Sequence, residues 1–141
     1  QLQNISITQW NARSVHNENK INYIRTLPGD IITLQETWNQ TDKIKKAGDT
    51  LNSYGREGKR GGGTATIHRL TPAPIIMQKI RLNKDSEAVK IKIKATFIWL
   101  INCYLAKGTI SKLQRLFARL RKEIPQHEWG IICLIGDLNA A

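Results

Sequence analysis

The sequence contains little cysteine, and this scarcity excludes several classes of small protein. Among its 141 residues only Cys103 and Cys133 are cysteines, and each lies inside an apolar, strand-like run. Such a pair is too few for a disulfide framework, and no cysteine or histidine spacing typical of a zinc site occurs. We therefore interpret both as reduced core residues of an intracellular protein.

Long apolar runs and acidic residues are also scarce. No apolar run approaches the length of a transmembrane helix, and the first residues do not form a signal-peptide pattern. The 11 acidic residues are outnumbered by 22 basic ones, which gives a formal net charge of +11 and a pI of about 10.0. This excess of positive charge favours a polyanionic partner, either a nucleic acid or an anionic membrane surface.

The chain is long enough for one domain with its own core, and short strand-like segments dominate it. It begins at Gln1 rather than at methionine, so we expect it to be part of a longer polypeptide. Hydrophobic periodicity predicts strands at 5–10, 30–34, 64–68, 75–82, 88–94 and 96–105, helices at 20–27, 41–47 and 111–123, and a Gly-rich basic loop at 53–63. Strands that follow one another without helices favour a layered α/β sandwich over a Rossmann sheet.

The most informative segment is the last one. The apolar run at 131–135 predicts a buried strand, and Gly136-Asp137-Leu138-Asn139 follows it. Period-two alternation puts the side chains of Asp137 and Asn139 on the same side. The carboxylate can align a water and accept its proton, and the amide can donate to a phosphate oxygen. The same residue types are also typical of a plain turn, and this segment alone does not decide between the two interpretations.

Polar groups also follow other predicted strands. Asn11 follows the first strand, Glu36 follows the second, and Tyr104 lies near the end of the strand at 96–105. Convergence of these strand ends would form a pocket in which Glu36 is a candidate Mg²⁺ ligand, and Mg²⁺ there would polarise a phosphoryl oxygen. Each residue also has an ordinary interpretation, Glu36 as a solvated carboxylate and Tyr104 as a core tyrosine.

Several sequence blocks occur in the order seen in the endonuclease/exonuclease/phosphatase superfamily. They are Gln9-Trp10-Asn11-Ala12-Arg13-Ser14, Leu34-Gln35-Glu36-Thr37-Trp38, Gly61-Gly62-Gly63-Thr64-Ala65, Asn102-Cys103-Tyr104 and Gly136-Asp137-Leu138-Asn139-Ala140. The residues of these blocks resemble those of the apurinic-endonuclease-like domain of non-LTR (LINE-type) retrotransposons, and the resemblance covers essentially the whole chain. The resemblance implies a DNase I-like α/β/β/α sandwich with mostly antiparallel and mixed sheets. Residues 1–141 would be its N-terminal portion, with the C-terminal part of the fold missing.

The resemblance also implies roles for individual residues. Glu36 matches the metal-binding glutamate and Asn11 the asparagine that supports the metal site, with Mg²⁺ or Mn²⁺ as the cofactor. Tyr104 matches the tyrosine that contacts the scissile phosphate, Asp137 the aspartate that activates water, and Asn139 the asparagine beside it. The closing Ser-Asp-His block of the family has no counterpart, because no histidine follows Asp137. The segment alone is therefore expected to bind DNA without cutting it.

The implied function is nicking of chromosomal target DNA in the nucleus, so that the freed hydroxyl primes reverse transcription. Contacts to DNA phosphates are predicted for Arg13 and for Arg56, Lys59 and Arg60 of the Gly-rich loop, and no membrane partner is expected. Two alternatives stay open. The first is an apurinic-site repair nuclease of the same superfamily, and the second is a catalytically inactive basic fragment that binds nucleic acid or has a structural role.

A last expectation concerns an apolar sheet face. If the chain supplies one sheet and only the start of the other, the inner face of that sheet would be open to solvent. The candidate residues for this face, or for the side of the sheet that faces the helices, are Ile31, Ile32, Leu34, Val89, Ile91, Ile93, Ile98, Leu100, Ile132 and Leu134. A face of that size would need a complementary chain or a second copy to cover it.

Overall fold

The computed structural model describes residues 4–38, 40–55, 61–105 and 110–137. Within these ranges the strands are β1 (Ile7–Asn11), β2 (Ile31–Gln35), β3 (Asp49–Tyr54), β4 (Thr64–His68), β5 (Ile75–Asn83), β6 (Ser86–Ile93), β7 (Thr96–Tyr104) and β8 (Ile132–Asp137). The helices are α1 (Glu18–Thr26), α2 (Thr41–Ile44) and α3 (Ile110–Glu123), with a 3₁₀ turn at Gln126–Glu128. None of the helices in these ranges has the length and apolarity needed to cross a membrane.

The strands form two four-stranded mixed sheets. The first has the order β1-β2-β4-β3 and the second the order β5-β6-β7-β8. In the first sheet β1 and β2 are parallel, and in the second β7 and β8 are parallel; the other pairs are antiparallel. Parallel neighbours need a crossover connection, and α1 and α3 supply it. As a result, the carboxyl ends of β1 and β2 lie side by side, and so do those of β7 and β8.

The two sheets pack face to face, with helices on their outer faces. Between the sheets lies an apolar cluster formed by Ile31, Leu51, Val89, Ile91, Ile98 and Leu100. On the outer face of the first sheet, Ile21 and Ile24 of α1 pack against the strands. On the outer face of the second sheet, Leu116 and Leu120 of α3 do the same. The order of layers is therefore helix, sheet, sheet, helix, which confirms the predicted α/β/β/α sandwich.

The expectation of an uncovered apolar face is wrong. Both sheets come from this chain, because the segment at 75–104 forms a second sheet instead of extending the first. Val89, Ile91 and Leu100 are buried against Ile31 and Leu51 of the other sheet. A complementary chain or second copy is thus not needed to cover these residues.

Three local predictions also need correction. No strand was predicted at Asp49–Tyr54, and the last two of these residues were assigned to the Gly-rich loop at 53–63, but the backbone of β3 pairs with β4 along the edge of the sheet. Helix α2 ends at Ile44 instead of continuing to Ala47. Strand β8 was expected to be fully buried, yet its side chains are half-buried and Leu134 is 39% exposed, because β8 is the last strand of its sheet.

Capping and amphipathic spacing explain the two longer helices. Asn17 caps α1, since its Oδ1 accepts a hydrogen bond from the backbone N–H of Lys20 at 2.9 Å. In α3 the apolar residues recur at the three- and four-residue spacing of one helix face. Leu113, Leu116, Phe117 and Leu120 form this face and pack on the second sheet. Both crossover helices are thereby fixed on their sheets, and they hold the adjoining strand ends in place.

Candidate active site

The predicted site residues lie at strand ends on the same side of the sandwich. Asn11 ends β1, Glu36 follows β2, Tyr104 ends β7 and Asp137 ends β8. The Nδ2 of Asn11 donates a hydrogen bond to Oδ2 of Asp137 at 3.2 Å. This bond joins the first sheet to the second, so the carboxyl ends of the two parallel strand pairs meet.

The pKa of Tyr104 reports which charges surround its hydroxyl. Partial burial raises this pKa above its usual value, and the negative charges of Glu36, Asp137 and Asp85 raise it further. The positive charge of Arg13 acts in the opposite direction. Glu36 and Asp137 therefore both lie within electrostatic range of one phenol, on the same side of the sandwich. At neutral pH the phenol keeps its proton and can act as a hydrogen-bond donor.

The loop that carries Glu36 has an unusual backbone. Glu36 has a φ of 53° and Trp38 a φ of 59°, while Arg13 and Ser14 in the facing loop have φ values of 46° and 81°. Non-glycine residues rarely adopt this left-handed region, and they persist there when neighbouring structure holds them. Here the backbone N–H of Ser14 donates to the carbonyl of Glu36 at 2.7 Å. The two loops thus fix each other beside Asn11.

Glycines permit close packing at two points around the site. Gly63 has a φ of +89°, and a Cβ there would collide with the hydroxyl of Thr37, next to Glu36. Gly136 precedes Asp137, and a Cβ there would overlap the backbone carbonyl of Cys103 on β7. The glycine-rich block and the Gly-Asp pair of the sequence therefore have steric roles: they let the chain approach closely enough to hold Glu36 and Asp137 in place.

Two polar residues that flank the predicted site act inside the core instead. Asn102 is fully buried on β7; its Nδ2 donates to the carbonyls of Leu34 and Ala65, both at 3.0 Å. Its Oδ1 accepts from Nε2 of Gln35 at 2.8 Å, and Oε1 of Gln35 accepts from Gln9 at 2.6 Å. These amides join the two sheets directly behind Glu36 and Tyr104. The sequence indicated this core role only weakly, because an amide side chain at a strand end is equally typical of a residue in an active site.

A cleft of about 630 Å³ opens beside the Asn11–Asp137 bond. Its lining consists of Gln9, Trp10, Asn11, Ala12, Arg13, Lys20, Gly136 and Asp137. Its lining includes the cations of Arg13 and Lys20 together with the carboxylate of Asp137. Such a combination suits an anionic substrate that must be attacked by water.

The donor set of the site fits a hard divalent cation. Glu36 supplies a carboxylate, and Asn11 supplies an amide whose oxygen accepts from the backbone N–H of Arg13 at 3.2 Å. In the ranges that the structure describes, no group of three or more His, Cys, Asp or Glu side chains is arranged to hold a metal ion. Mg²⁺ is commonly held by one or two carboxylates, with water and substrate phosphate completing its coordination, so these oxygen ligands suit it.

Cys103 lies next to the site without the properties of a nucleophile. Its side chain is buried, and its Sγ lies 3.6 Å from the carbonyl oxygen of Ile135. Burial, and then the negative charge of Asp137, raise the pKa of the thiol to about 11. At neutral pH the thiol is protonated and acts as a packing group.

Several predicted site residues lie outside the described ranges. Asn139 is one, and so are Arg56, Lys59 and Arg60 of the Gly-rich loop. Arg13 is described; it is exposed and lines the cleft beside Asp137. Of the predicted DNA contacts, Arg13 is therefore the one whose position can be compared with the site.

Sequence reasoning overlooked a buried carboxyl group on β6. Glu87 is fully buried between the sheets, where Thr64 Oγ1 donates to its Oε2 at 2.7 Å and Thr66 Oγ1 to its Oε1 at 2.8 Å. Burial raises the pKa of this carboxyl from 4.5 to about 7, although the two hydroxyls and the charges of Lys79 and Arg81 act to lower it. The signal was available, because period-two alternation puts Glu87 on the same face as Val89.

The sequence as a whole matches a known protein family. A sequence model of the endonuclease/exonuclease/phosphatase family matches residues 8–141. The chain belongs to the endonuclease/exonuclease/phosphatase family. The family comprises hydrolases of the nuclease and phosphatase types, which generally depend on divalent metal ions. A search of curated protein sequences found no significant match.

Solved structures of this family have the same fold at low sequence identity. The endonuclease domain of TRAS1, a telomere-specific non-LTR retrotransposon, has a TM-score of 0.67 at 18% identity, with 98% of this chain and 60% of that chain covered. D. rerio TDP2 complexed with a single-strand DNA product has a TM-score of 0.66 at 15% identity, with 96% and 60% covered. Bacteroides thetaiotaomicron VPI-5482 mannosyl-6-phosphatase Bt3783 has a TM-score of 0.68 at 14% identity, with 96% and 66% covered.

These similarities establish the fold of the chain and leave its substrate undecided. The chain spans less than two thirds of the length of each of these three structures. The three differ in the molecule that they act on or bind, so the shared sandwich does not select a substrate.

Proposed function

We propose that this chain supplies part of the catalytic centre of a metal-dependent DNA endonuclease of the non-LTR retrotransposon type. The observation that carries the proposal is the meeting of Asn11 and Asp137 across the two sheets, with Glu36 and Tyr104 in electrostatic range of each other. The formal net charge of +11 supports a polyanionic substrate, and the sequence blocks that resemble retrotransposon endonucleases support DNA.

Asp137 is the proposed proton acceptor. Its Oδ2 accepts the hydrogen bond from Asn11, which orients the carboxylate beside the cleft. A carboxylate held in this way can align a water and take up its proton as the water attacks phosphorus. Asn139, predicted to lie next to it, would donate to a phosphate oxygen.

Tyr104 and Arg13 are the proposed groups that bind the scissile phosphate. The raised pKa of Tyr104 keeps its hydroxyl protonated, so it can donate to a phosphoryl oxygen. Arg13 is close enough to Tyr104 for its charge to act on the phenol, and its guanidinium can pair with the same anion. Both interactions become stronger as negative charge builds up on the phosphate in the transition state.

Glu36, supported by Asn11, is the proposed residue set for Mg²⁺ or Mn²⁺. When bound, such an ion would polarise a phosphoryl oxygen and stabilise the leaving oxygen. The contribution of this chain is to hold the Glu36 carboxylate in a fixed position, through the paired loops and the close approach of Gly63.

The decisive experiment is a nicking assay on supercoiled plasmid with added Mg²⁺, Mn²⁺ or chelator. It would use the 141-residue chain and, in parallel, any in-frame continuation of its gene. In the form that nicks, we expect Asp137→Asn and Glu36→Gln each to reduce the rate by at least about a hundredfold, because each removes a group that acts on the reacting atoms. Asp49→Asn is the matched control, since Asp49 is exposed at the start of β3.

The possible results separate the proposal from its alternatives. Preference for abasic over intact duplex would support an apurinic-site repair nuclease. Hydrolysis of a sugar phosphate without DNA nicking would support a phosphatase. Binding of DNA without hydrolysis of any of these substrates would support an inactive nucleic-acid-binding fragment. A normal nicking rate in Asp137→Asn would show that the assigned roles are wrong.

A further inference from the structure

A second cleft is lined by Tyr104, the β5–β6 turn and α3. It has a volume of about 490 Å³, within the range of small-molecule sites. Its lining residues are Leu82, Asn83, Lys84, Asp85, Tyr104, Leu105, Lys112, Arg115, Leu116 and Arg119. We refer to it as the α3 cleft. Tyr104 also lies in range of the charges of Glu36 and Asp137, so the α3 cleft adjoins the candidate active site.

The α3 cleft combines a positive rim with an apolar floor. Lys84, Lys112, Arg115 and Arg119 contribute cations, against the single carboxylate of Asp85. Lys112 is in the first turn of α3, which contains no acidic residue and where the helix dipole favours an anion. Leu82, Leu105 and Leu116 are buried and form the apolar part of the lining. A ligand that fits both parts carries an anionic group attached to a less polar body.

The walls of the α3 cleft are well fixed. In the β5–β6 turn, the backbone N–H of Asp85 donates to Oδ1 of Asn83 at 2.8 Å. On the opposite wall, Leu116 is packed in the core beneath α3, while Arg119 pairs with Glu123 at 3.1 Å on the exposed helix surface. Such an exposed pair is weak, so Arg119 can still respond to a second anion. Fixed walls lower the conformational cost of binding a ligand.

From this arrangement we infer that the α3 cleft binds one nucleotide of the DNA strand next to the phosphate at Tyr104. This inference rests on the proposed function, because it takes the substrate of the adjoining site to be DNA. The backbone N–H of Tyr104 donates to the carbonyl of Asp85 at 3.0 Å, so the one carboxylate of the lining lies beside Tyr104, while Lys112 and Arg115 on α3 supply cations without a carboxylate between them in the lining. The flanking phosphate therefore binds at the Lys112 and Arg115 end, and the sugar and base contact the leucines.

The first test compares two charge reversals on the same helix. Lys112→Glu with Arg115→Glu alters the α3 cleft, while Arg121→Glu with Lys122→Glu makes the same change in charge at exposed positions outside its lining. Binding of the 141-residue chain to a short DNA duplex would be measured by fluorescence anisotropy over a range of salt concentrations. We expect the cleft variant to bind DNA about tenfold more weakly than the control variant. The slope of the logarithm of the binding constant against the logarithm of the salt concentration should be less steep by roughly two in the cleft variant. Equal losses in both variants would overturn the inference.

The second test probes the floor of the α3 cleft in the unmodified chain. Methyl NMR would follow Leu82, Leu105 and Leu116 during titration with thymidine monophosphate, and separately with inorganic phosphate. The nucleotide should shift these methyl signals and the phosphate alone should not, since only the nucleotide carries a sugar and base. Unchanged leucine signals with thymidine monophosphate would overturn the inference even if the charge variants bind DNA weakly.

The outcomes also separate this inference from the proposed function. If the cleft variant alone loses DNA binding and the nucleotide shifts the leucine signals, but no form of the protein nicks DNA, the nucleotide site in the α3 cleft is supported and the proposed endonuclease activity is contradicted. Nicking that Asp137→Asn abolishes, without any response of the α3 cleft, would support the endonuclease and contradict the nucleotide site. A chain that does not bind DNA at any salt concentration would contradict both.

Discussion

Glu87 should make the stability of this protein depend on pH. Its carboxyl is fully buried between the sheets and its pKa in the folded chain is raised from 4.5 to about 7. Because the folded-state pKa lies above the unfolded-state value, the folded chain binds this proton more tightly than the unfolded chain does. The stabilisation from protonation is therefore complete below pH 4.5, declines as the pH rises, and is lost above about 7.

The size of the effect follows from the shift. A rise from 4.5 to about 7 corresponds to roughly 3 kcal/mol, since each pKa unit is about 1.4 kcal/mol. Glu87→Gln keeps the shape of the neutral acid, and its amide can still accept from one threonine hydroxyl and donate to the other. It cannot ionise, so the free energy of unfolding of this variant should exceed that of the wild type by less than about 1 kcal/mol at about pH 5 and by up to about 3 kcal/mol at about pH 8.

Urea unfolding of the wild type and of Glu87→Gln between about pH 5 and about pH 8 would measure the difference between their free energies of unfolding. The other titrating groups are the same in both proteins, so their contributions cancel in this difference. Glu18→Gln is the control, because Glu18 is an exposed carboxylate on α1 and reports the effect of removing one surface charge. If the free energies of wild type and Glu87→Gln change in parallel across this range, the buried carboxyl does not titrate as inferred and the reasoning is refuted.

Three further predictions concern the inter-sheet link, the Glu36 loop and the phosphate site. Asn102→Ala leaves its buried partners without hydrogen bonds, so it should lower the free energy of unfolding in urea by roughly 3 kcal/mol. The control Asn22→Ala changes an exposed residue and should alter this free energy by less than about 0.5 kcal/mol. An equally small loss in both variants would contradict the role of Asn102 as a link between the sheets. Gly63→Ala should lower the melting temperature, because Gly63 has a positive φ and a Cβ there would collide with Thr37. A Cβ at Gly130 has open space around it, so Gly130→Ala should leave the melting temperature unchanged. Equal melting temperatures for the two variants would show that the collision at Gly63 does not occur. Tyr104→Phe, in a form that nicks DNA, should reduce kcat by about a hundredfold with unchanged circular dichroism, and an unaltered kcat would remove Tyr104 from the proposed chemistry.

Elements with a strong apolar period could be predicted from the sequence. The β6 segment alternates Val89, Ile91 and Ile93 with lysines, and the structure has a strand there with Val89 and Ile91 buried. Strand β3 was not predicted, because a mostly polar edge strand lacks that period and is stabilised by backbone pairing with β4. Likewise, the partial exposure of β8 depends on its place at the edge of the sheet, which periodicity does not encode.

The positions of four candidate site residues at strand ends could be predicted from the sequence, and their roles stay a prediction; the groups that support them were harder to predict. Asn11, Glu36, Tyr104 and Asp137 each follow or end a strand, and ordered blocks set them apart from ordinary turn residues. Whether an amide at such a position faces the pocket or the core depends on the opposite sheet. The sequence therefore did not reveal that Asn102 binds carbonyl groups of the first sheet in the core.

The bond between Asn11 and Asp137 spans 126 positions of the chain. Each sheet holds only half of the candidate site, so neither half of the chain has a reactive centre by itself. Closing so long a segment is entropically costly, and it becomes favourable only when the sheets are packed. We therefore expect the site to form among the last contacts of folding. Changes that loosen the packing between the sheets, even far from Asp137, should reduce hydrolysis before any strand is lost.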